Sequence, residues 1–323
     1  MRTQPISRIE LIDIARGGAL AAMAIYHFAW DLEFFGYLEP GTTELGLWKL
    51  FARAIASSFL FLVGVSLFLA HARGIRLPAF LRRLAIIVAA ALAISVATWF
   101  AVPEGFIFFG ILHQIALASV VGLLFLRLPA PLTLVAAALA IAAPHFLRAA
   151  FFDHPALWWV GLSSADPPSN DYVPLFPWVG AVLAGIAAAR LADDFGALGP
   201  LSRIVSGRWS RPLIFAGRHS LVFYLVHQPV LIGLVWTAAQ IFPPPTVPVE
   251  SRFLDACVAS CEDVREGDFC PRYCGCMLDR LAAEGRLDDL FAGGQDAEAQ
   301  ARLNDMAASC TFETDAQPAG DGQ

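Results

Sequence analysis

The sequence predicts an all-α, polytopic membrane protein of about seven transmembrane helices, followed by a small, helical, disulfide-rich C-terminal domain. Three observations predict it. The chain is 57% hydrophobic and only 15% charged, with a mean hydropathy of +0.61, where a soluble domain carries about 25% charge. Its apolar residues gather in stretches near the roughly 20 residues that a bilayer demands. All 6 cysteines fall after residue 250, in a segment holding 16 acidic and 6 basic residues. The run Phe242-Pro243-Pro244-Pro245 with Pro248 cannot continue a helix and marks a boundary. Two domains are therefore expected, 1–245 in the membrane and 246–323 as an acidic tail.

The apolar spans, in order, centre on 14–30, 54–70, 84–100, 107–125, 131–147, 175–191 and 213–241. The fifth is alanine-rich and contains Pro144-His145, which weakens it. The seventh is long enough to tilt or to begin as an interfacial segment. Lipid contact forces helices, because no strand alternation is present. The N-terminal span does not read as a cleavable signal peptide, since acids interrupt its apolar run. Arg73, Arg76, Arg82 and Arg83 follow span two, and Arg190, Arg203, Arg208, Arg211 and Arg218 lie between spans six and seven. Arginine-rich loops face the cytoplasm. This puts the N-terminus inside, makes the chain a multi-pass inner (plasma) membrane protein, and leaves the tail in the periplasm after seven crossings.

The tail agrees with that placement. Its spacing is Cys257-x3-Cys261, then Cys270-x3-Cys274, then Cys276 and Cys310. Each Cys-x3-Cys pair shares one helical face across a turn at Glu266-Gly267-Asp268. A stapled hairpin, Cys257–Cys274 and Cys261–Cys270, with Cys276–Cys310 holding a further helix, suits an oxidising compartment. Zinc is the rival use of these thiols, although no histidine follows residue 250. A tail this short needs staples because it buries little core. It shows no catalytic pattern.

Chemistry concentrates in span one. Asp13, Arg16, His27 and Asp31 interrupt an apolar helix, where each charge costs roughly 2.5–3.5 kcal/mol at the bilayer centre. From Arg16 to His27 is 11 residues, which at 100° each closes three turns plus about 20° and rises about 16 Å. Asp13 and Asp31 lie three and four residues outside this pair and join the stripe. Imidazole is the natural proton-transfer group, since the membrane domain holds all 7 histidines and no cysteine. His27 reads either as a base steadied by Asp31 or as a plain interhelical hydrogen-bonding histidine. Arg16 reads as an anion clamp, or as a snorkelling side chain paired with Asp13. His113-Gln114 and His227-Gln228 place further imidazoles in spans four and seven. Arg82, Arg83 and Arg218 are explained by topology or by anion binding. Asp171, beyond span five, is a loop acid or an acceptor-binding group. No resident metal is expected.

Arg16-x10-His27 resembles the Arg-x10-His motif of membrane-bound acyltransferases that modify extracytoplasmic glycans. The wider set resembles the bacterial branch of the heparan-α-glucosaminide N-acetyltransferase family. Its pieces are Arg8-Ile-x-x-Ile12-Asp13-x-x-Arg16-Gly17, Tyr26-His27-Phe28-x-Trp30-Asp31-Leu32, Phe61-Leu62-Val63-Gly64-Val65-Ser66, Asp171-Tyr172-x-Pro174-Leu175-x-Pro177-Trp178 and Gly217-Arg218-His219-Ser220-Leu221-x-x-Tyr224-Leu225-x-His227-Gln228-Pro229. They span about residues 8–240; the tail lies outside the pattern. The resemblance implies transfer of an acetyl group from cytoplasmic acetyl-CoA to an amine or hydroxyl of an extracytoplasmic glycan or other envelope acceptor. His27 falls on the motif histidine and Arg16 on the motif arginine. The catalytic set so expected is His27, Asp31 and Asp171. The set expected to hold acetyl-CoA is Arg16, Arg82, Arg83, His113, Arg218 and His227. Expected partners are the lipid bilayer, acetyl-CoA, the acceptor and, as one option, a second copy in a homodimer; no nucleic acid is expected. The competing functions are a proton-coupled transporter or flippase and a bis-histidine haem protein.

Overall fold

In a computed structural model, the described residues are 9–72, 74–204, 207–245, 248–262, 265, 268–285, 287 and 297–316. Arg8, Arg73 and the Glu266-Gly267 part of the expected tail turn lie outside them. The described residues contain no strand. The chain splits into two compact units, Met1–Pro243 and Pro244–Gln323.

The first unit holds α1 (Glu10–Phe34), α2 (Gly46–His71), α3 (Leu77–Ala101), α4 (Ile111–Phe125), α5 (Ala130–Phe146), α6 (Leu175–Asp194), α7 (Leu198–Arg203), α8 (Arg211–Arg218) and α9 (Ser220–Ile241). Four of these, α2, α3, α6 and α9, are long and apolar enough to cross a membrane. The chain is a helical membrane protein. The expected count of seven is not reached on that measure. α1 has 25 residues but carries the charges of the polar stripe, and α4 and α5 run only 15 and 17 residues.

The shortness of α4 has a physical cause. Residues 102–110 are not α-helical, and their backbone pairs with the equally irregular segment 161–174. Asn170 N–H donates to Gly105 O at 2.9 Å and Val173 N–H to Phe109 O at 3.1 Å. Thr98 Oγ1 accepts from Ile107 N–H at 3.0 Å, and Ser95 Oγ donates to Ile107 O at 2.5 Å. Irregular backbone is tolerated within a bilayer protein only where protein groups satisfy it in this way.

Glycine sets two close helix contacts. A methyl group on Gly64 would lie 2.0 Å from the Val182 carbonyl oxygen, and one on Gly185 would lie 2.1 Å from that of Phe61. α2 and α6 therefore meet backbone to backbone, from both sides. The same reciprocity joins α1 to α8, where methyls on Gly17 and Gly217 would lie 2.1 Å from Leu213 O and 2.0 Å from Asp13 O. Small residues that admit such approaches replace the hydrophobic driving force that lipid removes. The main core lies between α2, α4 and α6, around Leu60, Ala118, Val182 and Ile186. α1 ends in a left-handed Gly36, with Tyr37 N–H on Leu32 O and Gly36 N–H on Glu33 O. Glycine takes that conformation without strain and releases the chain into the α1–α2 loop. The Glu33 carboxylate then holds that loop, accepting from Gly41 and Thr43 N–H at 2.6 and 2.8 Å.

The second unit contains α10 (Val249–Glu262), α11 (Phe269–Ala283) and α12 (Ala297–Ala316). Cys257–Cys274 and Cys261–Cys270 staple α10 to α11, and Cys276–Cys310 ties α11 to α12. This is the pairing that the spacing suggested, and it leaves no thiolate for zinc. Met277, Leu281, Leu287 and Met306 fill the small core beside Cys310.

Candidate functional site

The polar stripe of α1 meets its partners at two levels. At the lower level, near the N-terminus of α1, Asp13 is buried and two arginines converge on it. Arg16 Nη1 lies 3.6 Å and Arg218 Nε 3.5 Å from its carboxylate. Arg16 also donates to the Ser66 hydroxyl of α2. The glycine-mediated contact between α1 and α8 makes this arrangement, because it draws Arg218 at the end of α8 onto the first turns of α1. Two cations facing one carboxylate leave the trio one net positive charge, suited to an anion.

At the upper level, α1 meets α9. The His27 and His227 rings pack edge to face with centroids 5.0 Å apart. One turn beyond His27, Asp31 is fully buried, and its Oδ1 accepts from Gln228 Nε2 at 2.7 Å. The sequence suggested that Asp31 would steady the His27 imidazole; its recorded hydrogen bond goes to Gln228 instead. Asp31 Oδ2, Gln228 Oε1 and His227 Nε2 are buried without partners among the described residues. Three acceptor atoms in one seam are competent to receive N–H or O–H groups from a bound molecule. The two rings touch edge to face, which leaves no gap for a haem macrocycle between them.

The remaining expected residues are placed elsewhere. Asp171 Oδ2 accepts from Ile111 N–H at 3.0 Å and from the Tyr224 hydroxyl at 3.4 Å, so it caps α4 and links it to α9. The adjacent loop residue Tyr172 donates to Trp158 O at 2.7 Å, and burial pushes its phenol up to about 12. His113 joins α3 to α4. Its Nδ1 accepts from Gly110 N–H at 3.2 Å, and its Nε2 faces Ser95 Oγ at 3.3 Å. Arg82 is exposed on α3. Arg83 lines a cleft between α2, α3 and α4 with His71, Phe80 and Ser119. The structure thus gathers Arg16 with Arg218 and His27 with His227 and Asp31. Asp171 reaches the second group through Tyr224, and His113, Arg82 and Arg83 join neither. Gln228, Tyr224 and Ser66 touch these groups, and sequence reasoning gave none of them a role. All three stand in the pieces that carry the family resemblance, and Gln228 also adjoins His227 as a polar residue in an apolar helix.

No curated protein matches the chain, and no solved structure does. The family described as heparan-alpha-glucosaminide N-acetyltransferase, catalytic, matches residues 8–229. That stretch takes in both levels of the α1 site and stops within α9, before the cysteine-rich unit. The chain belongs to the heparan-alpha-glucosaminide N-acetyltransferase catalytic family of membrane acetyltransferases.

Proposed function

We propose that the protein transfers an acetyl group from acetyl-CoA, bound at the Arg16–Arg218 level, to an amine or hydroxyl of an extracytoplasmic glycan or envelope acceptor near His27. The observation that carries this reading is the two-level polar seam along α1 in a chain of this family. A cationic cluster lies at one level and a histidine pair with a buried carboxylate at the other. The rise from Arg16 to His27, about 16 Å along α1, suits the extended pantetheine arm of acetyl-CoA. The phosphates then stay with the arginines while the thioester reaches the histidines. Arginine-rich loops favour the cytoplasm and disulfides favour an oxidising compartment, so donor and acceptor arrive from opposite sides. His27 stands at the reacting thioester as base or acetyl carrier, and Asp31 with Gln228 offers acceptor atoms to the incoming N–H or O–H.

The test is acetyl-CoA binding to the purified protein in detergent. Wild type is expected to bind, and Arg16→Ala to weaken binding by about tenfold or more, the equivalent of one charge-assisted hydrogen bond. His27→Ala is expected to bind acetyl-CoA and lose turnover. A folded wild-type protein that ignores millimolar acetyl-CoA favours the proton-coupled carrier instead.

A further inference from the structure

Two half-buried histidines of the membrane unit have their protons placed by their neighbours, in opposite ways. His113 Nδ1 accepts from a backbone N–H, so its proton sits on Nε2 and meets Ser95. Both of its nitrogens are engaged. His227 Nδ1 lies 2.7 Å from the carbonyl oxygen of Tyr224. A carbonyl oxygen only accepts, so Nδ1 carries the proton and the neutral ring holds its lone pair on Nε2. That nitrogen is buried, and no group among the described residues donates to it. Tyr224, which holds the ring, is anchored in turn. Its hydroxyl donates to Asp171, and Asp171 is fixed by the first N–H of α4. The path from Asp171 through Tyr224 to His227 therefore sets a lone pair beside His27, with no donor to it among the described residues.

We propose that His227 is a second catalytic residue of this site, the base that takes the acceptor's proton; the inference rests on the acetyltransferase reading. As the acceptor nitrogen or oxygen bonds to the thioester carbonyl carbon, its proton moves to His227 Nε2. As the C–S bond breaks, that proton passes to the departing sulfur. The products are the acetylated acceptor and the CoA thiol, and His227 returns to its neutral form. His27, packed against His227, then holds the thioester carbonyl through a ring N–H, in place of acting as base or carrier. The sequence suggested acetyl-CoA binding for His227; the fixed proton and the free lone pair favour proton transfer instead.

The test uses the full-length protein in detergent with nitrogen-15-labelled histidine. His227 is identified by the signal lost in His227→Asn. The expected spectrum near neutral pH shows a protonated Nδ1 and a bare Nε2; a proton on Nε2 overturns the proposal. The second readout is CoA release from acetyl-CoA with water as the acceptor probe. His227→Asn is expected to bind acetyl-CoA as wild type does and to release CoA about 10²- to 10⁴-fold more slowly at saturation. A rate above about a tenth of wild type, or acetyl-CoA binding lost in parallel, overturns the assignment. His227→Gln replaces His227→Asn if the latter does not fold. Wild-type protein that fails to bind acetyl-CoA sinks the acetyltransferase reading itself, whereas normal binding with an unchanged His227→Asn rate sinks the base assignment alone.

Discussion

Asp31 and Gln228 face each other across 197 residues of sequence, and that distance separates what could be read from what could not. Asp31 was visible because helical periodicity places it on the face of His27 and Arg16, a property of one helix. Its partner depends on how α9 docks on α1, which no local pattern encodes. Ser66 stands in the motif set, but that it receives Arg16 from across 50 residues was hidden for the same reason. His113 looked like His227 in sequence, since each precedes a glutamine within an apolar run. Their neighbours gave them different work. A buried carboxylate oxygen held by one amide is sensitive to its loss, so Gln228→Ala is expected to destabilise the protein by about 1.5–3 kcal/mol, the value of a hydrogen bond to a charged group. Thermal unfolding in detergent checks this, and an unchanged midpoint would mean that water replaces the amide. At the periphery, Asp153 accepts from the Ser164 hydroxyl and N–H at 2.6 and 2.7 Å, and these bonds hold its carboxyl below the usual range. A depressed folded pKa stabilises above the unfolded value, so this clasp weakens as pH falls through the acid range. Amide exchange at Ser164 should quicken there, and Asp153→Asn should remove the dependence.

At the scale of elements, α2, α3 and α6 stand where apolar run length put them, because spans bounded by charges and prolines announce their ends. Two elements departed. The fourth span begins at Ile111 rather than 107, since the paired segments 102–110 and 161–174 take its first residues and Asp171 caps what remains. The seventh divides at His219 into α8 and α9. Hydropathy is blind to the first event, because residues 106–109 are as apolar as the helix they precede, whereas the second falls at the polar Arg218-His219-Ser220. The reciprocal glycines were partly legible as small residues, but the sequence did not say which helices they join. Gly185→Ala puts a methyl group 2.1 Å from a backbone oxygen of α2, which no rotamer can relieve. A loss of about 1–3 kcal/mol is expected, as for overpacking elsewhere. Gly199→Ala, whose added methyl meets nothing within 4 Å, is the matched control. Equal melting temperatures for the two variants would deny the close contact.

The whole molecule joins a helical membrane unit that contains no cysteine to a small unit stapled by three disulfides. The tail pairing was legible because Cys-x3-Cys is a helical spacing, and two such pairs on antiparallel helices match in only one nested order. Cys276–Cys310 closes a loop of 34 residues, and its removal is expected to cost the tail about 2–5 kcal/mol. In intact cells the tail cysteines should resist alkylation until a reductant is added. Labelling without reductant would place the tail in the cytoplasm and change the number of crossings by one.

The break at His219 has a mechanical meaning. α8 is held to α1 by interlocked glycines, α9 continues from it through one residue, and the Gln228–Asp31 hydrogen bond ties α9 to α1 again beside His227, so the direction of α9 is set at His219 and at that bond. His227 lies eight residues along α9 from His219, about 12 Å. A tilt of about 10° there would carry its ring about 2 Å toward or away from His27, which rides on the fixed side. The spacing of the two rings thus depends on the direction in which α9 leaves His219.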